Sequence, residues 1–142
     1  MRFLHLSFVL FSIYIFSSCN DSDDSGTPPA TIEPTLSSIQ AQVFNGTCAL
    51  TSCHGSAAAG GLNLTDGISY GQLVNVRSNG DGINVPPFYR VQPGQPDSSF
   101  LYIKLTSPAP QQGARMPQGG ASLSQEKLDA IRQWILNGAG ND

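Results

Sequence analysis

Two cysteines and a histidine lie close together near the middle of the chain. The stretch reads Cys48-Ala-Leu-Thr-Ser-Cys-His-Gly55, so four residues separate the two thiols and His54 follows Cys53 directly. Three structures suit this pattern: a disulfide loop, part of a metal site, or a covalent attachment point for a cofactor. Each of them closes the backbone between the cysteines into a turn. This stretch therefore restricts the fold more than any other part of the sequence.

The N-terminal residues are typical of an exported protein. Arg2 is followed by an almost unbroken apolar run, Phe3 to Phe16, and then by two serines. This order is that of a secretory signal peptide, and the run is shorter than the ~20 residues of a membrane-spanning helix. We therefore interpret residues 1–18 as a signal peptide. The next residue, Cys19, completes a sequence that resembles a bacterial lipobox, which predicts lipidation of Cys19. An ordinary signal peptide with an incidental cysteine is the alternative.

The residues after Cys19 cannot form a core. Up to Pro34 they are polar, acidic and proline-containing, which is typical of a disordered tether. We expect residues 19–34 to hold a globular domain, residues 35–142, near a membrane. The predicted location is exported, periplasmic or in the cell envelope, with the protein anchored to the membrane by its lipid.

The composition of the domain limits its partners and its core. Basic and acidic residues are equal in number from Thr35 to Asp142, so no basic patch is available for nucleic acid. The chain has 15 Gly and 10 Pro, which predicts long loops. With 8% aromatic residues the core is modest. A disulfide, a metal or a large apolar cofactor would stabilise such a domain considerably.

The hydrophobic pattern predicts an all-α domain with long Gly/Pro-rich loops. Leu36, Ile39 and Val43 form one helical stripe, and near the C-terminus Ser124 is a good N-cap while Gly138 suits a helix end. No alternating strand pattern is present. The predicted helices cover about Thr35–Thr47, Ile68–Val74, Ser98–Leu105 (capped by Asp97 or Ser98) and Ser124–Asn137.

The small number of Cys, His and Met residues separates the alternatives for the motif. A zinc site needs about four ligands, but only Cys48, Cys53 and His54 remain as Cys or His after removal of the signal peptide and lipidation of Cys19. A nucleophilic Cys–His pair usually combines residues that are distant in the chain. A disulfide between Cys48 and Cys53 stays possible in an exported protein.

The mature chain would also keep the minimum set for a covalently bound haem. His54 is its only histidine and Met116 its only methionine, beside the two thiols. This is the set that a covalently attached haem with His and Met axial ligands requires. Met116 lies in a loop, Arg115-Met-Pro-Gln-Gly-Gly120, where a ligand is more expected than a core residue. The usual haem motif is C-x-x-C-H, so two extra residues must loop out here.

Several segments, in order, resemble the small class I-like c-type cytochrome domains, including the planctomycete-type cytochrome c modules. They are VFNGTCALTSCHG, GGLNL, QPGQPDSSFLYIKL, RMPQGG and LSQEKLDAIRQWILNGA, between Val43 and Ala139. The resemblance implies a cytochrome c-like fold with crossing N- and C-terminal helices, packed through Phe44 and Trp134. It implies haem c bound covalently by Cys48 and Cys53, with His54 as the proximal iron ligand and Met116 as the distal one.

The resemblance implies electron transfer with redox partner proteins and no enzymatic activity. An iron with two protein ligands has no open coordination position, and His/Met ligation raises its potential. A haem peroxidase or gas sensor with a displaceable Met116 is an alternative, as is a haem-free, disulfide-stapled binding lipoprotein. Arg115 is a candidate partner for a haem propionate, and Lys104 and Lys127 are weaker candidates than Met116 as the second ligand. Candidate pocket residues are Leu62, Leu64, Tyr70 and Leu73.

Overall fold

A computed structural model describes residues 31–79 and 88–142 of the chain. The predicted signal peptide, Cys19 and the first part of the predicted tether lie outside the described residues. The folded unit begins at Thr31, before the boundary that the sequence suggests at Thr35. The reason is Ile32, which is buried in the core and whose amide donates to Glu126 Oε1 at 3.5 Å.

The described residues form a helical domain, and no strand occurs among them. Isolated backbone bridges join residues 74–77 to residues 89–91, and Tyr89 to Ser99. The all-α class is therefore confirmed for this part of the chain. The elements are α1 (Leu36–Ile39), a π-helix (Gln40–Cys48), α2 (Ser69–Leu73), α3 (Phe100–Leu105), α4 (Gln125–Leu136) and three 3₁₀ turns (Ala59–Gly61, Pro96–Ser98, Pro110–Gln112).

The C-terminal helix α4 begins and ends where the sequence predicts. Ser124 is its N-cap and accepts a hydrogen bond from the Lys127 amide at 3.4 Å, which satisfies one of the free N–H groups of the first turn. After Leu136 the chain turns at Gly138, whose φ of 101° is a conformation that favours glycine.

The N-terminal helix changes type along its length. Thr35 caps α1 by accepting from the Ser38 amide at 3.3 Å, and from Gln40 the helix widens to the π form. At its C-terminal end the Ala49 amide donates to the Phe44 carbonyl at 2.7 Å, a bond across five residues. The sequence predicts the position of this helix but not the wider turn.

The two short helices lie within the predicted ranges, but α3 starts differently. A 3₁₀ turn, Pro96–Ser98, precedes it, and Ser99 occupies the N-cap position without capping the helix. The buried Ser99 hydroxyl instead donates to the Gln95 carbonyl at 2.8 Å and accepts from the Gln92 amide at 2.9 Å. The predicted cap by Asp97 or Ser98 is therefore wrong, because the turn before the helix uses these residues.

The core joins α1, the π-helix and α4. Phe44 and Trp134 are both buried in the same core cluster, and burying Phe44 alone stabilises the fold by about 1.5–3 kcal/mol. The Trp134 indole N–H donates to the Gly140 carbonyl at 2.9 Å. Within the described ranges, no helix combines the length and the apolar character needed to cross a membrane. The core side chains are Leu36, Ile39, Val43, Phe44, Leu64, Leu73, Val91, Leu105, Leu123, Ile131, Trp134, Ile135 and Ala139.

Candidate haem attachment site

The stretch from Cys48 to Gly55 forms one tight turn after the π-helix. The His54 amide donates to the Cys48 carbonyl at 3.0 Å, which closes the segment between the cysteines. Inside this segment, the amides of Cys53 and Gly55 both donate to the Leu50 carbonyl at 2.9 Å. The four residues between the thiols therefore loop out, as the wider Cys–Cys spacing requires, and backbone bonds fix the loop.

Gly55 is required for the turn to close. A Cβ atom at this position would lie 2.5 Å from the Ala49 carbonyl oxygen and 2.8 Å from that of Leu50. Backbone atoms cannot move away from such a contact without opening the turn. The glycine after His54 is thus explained by close approach of the backbone rather than by a left-handed conformation.

Both cysteines are free thiols, and both are half-buried. Cys48 packs against the core cluster. Its burial raises the pKa of the thiol from 9.0 to about 11, the nearby Lys127 ammonium lowers it in part, and Cys53 adds a smaller increase. Cys53 Sγ lies 3.8 Å from the Ser52 hydroxyl. The turn therefore presents two thiols together, which suits two thioether bonds and also suits a disulfide.

The imidazole of His54 carries the most informative feature of the site. Its Nδ1 is buried and has no hydrogen-bond partner among the described residues. A buried polar nitrogen without a hydrogen-bond partner has lost its bonds to water and gained none in return, which costs free energy. Such atoms are rare in native structures. A metal centre would satisfy this atom if it bonded to Nδ1 itself, whereas one bonded to Nε2 would not. With two neighbouring thiols, His54 offers the donor groups that a covalently attached haem uses.

The backbone of His54 is held from the other side by Leu64. The Leu64 amide donates to the His54 carbonyl at 2.7 Å, and the Leu64 carbonyl accepts from Gln40 Nε2 at 2.8 Å. Gln40 is buried, with 4% of its surface exposed. Its Nε2 also donates to Asn45 Oδ1 at 2.7 Å, and its Oε1 accepts from the Ser69 hydroxyl at 2.6 Å. This network joins the π-helix, α2 and the segment behind His54.

Gln40 is not among the residues predicted from the sequence, although its position on the first helix could have indicated a buried polar side chain. Gln40 lies four residues after Leu36 and so falls on the apolar stripe of the first helix. A polar side chain on that face must find partners in the core.

A buried arginine supports the same region. Arg90 is 7% exposed, and its guanidinium donates to the Gln72 carbonyl and the Gly61 carbonyl, each at 2.9 Å. These bonds tie the Gly-rich turn after the motif to the end of α2. This role of Arg90 could not be predicted from the sequence, because its partners lie in other segments of the chain.

Met116 approaches the core from the other end of the chain. It lies between the Pro110–Gln112 turn and α4, and its half-buried side chain packs against the core cluster that Cys48 also contacts. Its amide donates to the Lys104 carbonyl at 2.8 Å. The structure thus places Cys48, Cys53 and His54 on one turn, and brings Met116 to the same core on a separate loop.

The other residues near the predicted ligands have other contacts. Lys104 Nζ donates to the carbonyls of Gln112, at 2.9 Å, and Ala114. The exposed Arg115 guanidinium donates to the Ser122 hydroxyl. A propionate contact of Arg115 stays a prediction.

The expected pocket residues lie in or against the core. The structure describes two clefts within residues 31–79 and 88–142, and neither of these two lies at the cysteine motif. Leu64 and Leu73 are buried in the core cluster, while Leu62 and Tyr70 are half-buried against it. One cleft, of about 260 Å³, lies beside Pro96, and the other, of about 280 Å³, lies beside Asp66. Neither is lined by a cysteine of the motif, by His54 or by Met116, so neither is the predicted haem site.

The donor groups of the described residues do not support the zinc alternative. Across residues 31–79 and 88–142, no three His, Cys, Asp or Glu side chains are grouped to hold a metal ion, whereas a structural zinc site needs four ligands. A haem requires a different set: two thiols for attachment and the axial ligands His and Met. Compared with known protein families, with curated proteins and with solved structures, the chain matches none.

Proposed function

We propose that this chain is a monohaem c-type cytochrome of the cell envelope that transfers electrons between redox proteins. The observation that carries the proposal is the buried Nδ1 of His54, which has no partner among the described residues and directly follows the second of two free thiols. A haem c whose iron bonded to Nδ1 would explain both features together. A disulfide would use the thiols but would leave the imidazole without a partner.

Each predicted residue has one role in this proposal. Cys48 and Cys53 would hold the haem through thioether bonds, and backbone bonds close the turn between them. His54 and Met116 would hold the iron. When bound, the haem supplies a one-electron Fe(III)/Fe(II) couple. The protein would contribute the iron ligands and the two attachment points.

Electron transfer fits this chain better than catalysis at the iron. A peroxidase needs an acid–base side chain next to an open coordination position. Met116 would fill that position, and after removal of residues 1–18 the chain has no second histidine. Arg115 is exposed and its guanidinium donates to Ser122, so nothing in the structure favours a role for it in peroxide chemistry.

The proposed location follows from the N-terminal sequence. Lipidation of Cys19 would keep the domain at a membrane, and the polar residues that follow would give it reach. The domain itself has no net charge from Thr35 to Asp142. Its proposed partners are redox proteins of the same compartment, and nucleic acid is not among them.

The test is production of the full chain in an exporting host with the haem c maturation system. We expect red protein whose haem stays on the chain in a denaturing gel and through acid–acetone extraction, because thioether bonds survive both. Cys48→Ser and Cys53→Ser should each leave at most one thioether and shift the pyridine haemochrome band. Ser52→Ala, within the same turn, is the matched control and should leave the band unchanged.

The same preparation separates the alternatives. Colourless, exported protein with a Cys48–Cys53 disulfide by mass spectrometry would contradict the proposal and support the haem-free lipoprotein. Membrane fractionation of Cys19→Ala tests the anchor independently. The residues after position 19 are too polar to bind lipid, so this variant should leave the membrane fraction.

A further inference from the structure

Lys104 is bonded three times to the loop that carries Met116. Its ammonium donates to the Gln112 carbonyl at 2.9 Å and to the Ala114 carbonyl, and its own carbonyl accepts from the Met116 amide at 2.8 Å. The three bonds reach the loop at alternate residues. Together they determine where the backbone of Met116 lies relative to α3.

The ammonium is closely surrounded by this loop. Gly113, between the two accepting carbonyls, has a φ of 76°, and a Cβ atom there would lie 3.4 Å from Lys104 Nζ. A methyl group there would reach van der Waals contact with the charged end of the side chain, and the φ of Gly113 favours glycine. The loop conformation and the position of the ammonium fit each other.

These bonds differ from the usual role of a lysine near a helix end. Lys104 lies in the last turn of α3, where a cation ordinarily interacts with the free carbonyls of its own helix. Here the accepting carbonyls belong to residues eight and ten positions further along the chain. The side chain thus stabilises the position of the loop rather than the end of the helix.

We propose that Lys104 is the positioning residue for Met116, and that its bonds to the loop determine how firmly Met116 holds the iron. The inference rests on the proposed function, because it needs the iron that Met116 would bind. It differs from the weaker possibility that Lys104 is itself the second ligand. An ammonium that donates to two carbonyls has no lone pair to give to a metal.

The test compares variants of the matured, haem-containing protein. Lys104→Met keeps the length of the side chain and removes the charged donor. We expect covalent haem content to stay unchanged and the long-wavelength Met–Fe(III) absorption band to be largely lost. CO should bind the reduced protein more than about tenfold faster, since the variant removes two hydrogen bonds to a charged group and one alone corresponds to about tenfold. Lys104→Arg restores donors and should recover part of the band.

Arg132→Met is the matched control, since it removes a cation from α4 beside the cleft at Pro96. It should leave the band and CO binding unchanged. If Lys104→Met lowers the reduction potential no more than Arg132→Met and keeps the band, Lys104 acts only through its charge and the inference is overturned.

A second variant covers the case in which Lys104→Met does not fold. Gly113→Ala strains the same loop without changing Lys104, because a φ of 76° is unfavourable for alanine, and it should weaken the band in the same direction. An unchanged band in Gly113→Ala, with unchanged amide exchange at Met116, overturns the inference. A wild type that contains haem but lacks the band overturns the His/Met ligation of the proposed function, whereas a band that persists in all variants overturns only the role of Lys104.

Discussion

The turn from Cys48 to Gly55 and the loop that carries Met116 are held in different ways. Three backbone bonds of the turn start and end within Cys48–Gly55, and the amides of Ala59 and Leu64, a few residues further along the chain, donate to the Cys53 and His54 carbonyls. The Met116 loop is held largely from outside, by the backbone and side chain of Lys104 on α3. The attachment side of the proposed haem site is therefore built locally, and the distal side depends on a contact between separate elements.

This difference indicates how each side should respond to change. A closed turn either forms or fails, because its hydrogen bonds share the same few residues. A loop fixed by one side chain can shift by small amounts while the rest of the domain stays folded. A haem protein built in this way would bind its cofactor permanently on one side and adjust the strength of one ligand on the other.

The largest expected effect comes from removing the two proposed ligands separately. His54→Ala should prevent a stable haem site, because His54 lies in the turn that would attach the cofactor in the proposed function. Met116→Ala should keep the covalent haem, lose the Met–Fe(III) band, bind CO and have a lower reduction potential, since the thioether favours Fe(II). Absorption spectra and redox titration of the two variants measure this.

Met116→His refines the same comparison. It should restore two strong ligands and lower the potential below that of the wild type. If the wild type already binds CO rapidly and lacks the band, Met116 is a packing residue and the sensor or peroxidase alternative becomes the better interpretation.

The second effect concerns glycines in the two regions. Gly55→Ala puts a methyl group 2.5 Å from the Ala49 carbonyl, so the turn should open and most attached haem should be lost. Gly119→Ala, in the Met116 loop, meets no atom within 4 Å but has a φ of 73°, which costs about 1 kcal/mol. Gly46→Ala has open space and is the control. Haem yield and denaturation midpoints of the three variants test whether the loss is largest in Gly55→Ala, smaller in Gly119→Ala and absent in Gly46→Ala.

Equal losses in Gly55→Ala and Gly119→Ala would contradict the distinction between a local turn and an externally held loop. A haem yield of Gly55→Ala equal to that of Gly46→Ala would show that the turn can form without close approach at this position.

The helices were largely predictable because capping and periodicity are local. Ser124 and Gly138 define α4 in the sequence and in the structure. The π form of the first helix was not predictable in this way. It accompanies the part-buried bond between Gln40 and Asn45, and Gln40 is held in the core by its buried bonds to Leu64 and Ser69, which lie elsewhere in the chain.

The site was predictable only in its chemical groups. Cys48, Cys53, His54 and Met116 are recognisable because each residue type has few other uses in this chain. The residues that position them are common polar types, and their roles arise from tertiary contacts. Lys104 stands in an apolar stretch, and nothing in the sequence shows that its ammonium reaches the carbonyl of Gln112, eight residues further along the chain.

The smallest expected effect concerns Gln40, which supports the turn from behind. Gln40→Leu has a similar size but leaves the Leu64 carbonyl, Asn45 and the Ser69 hydroxyl without this partner, which should cost about 1–3 kcal/mol of unfolding free energy. Ser69→Ala removes only one bond of the network and should cost less. Denaturant titration of each variant gives the two values.

The double variant decides whether these residues act as one network. Ser69→Ala removes the hydroxyl that Gln40→Leu leaves unsatisfied, so the combined loss should be smaller than the sum of the single losses. The attached haem should stay in all three variants, because the backbone bonds of the turn from Cys48 to Gly55 do not involve Gln40. The Leu64 amide still donates to the His54 carbonyl, so only a small change in the potential is expected. Strict additivity, or loss of haem in Gln40→Leu, would mean that the turn is held by the network and not by its own backbone.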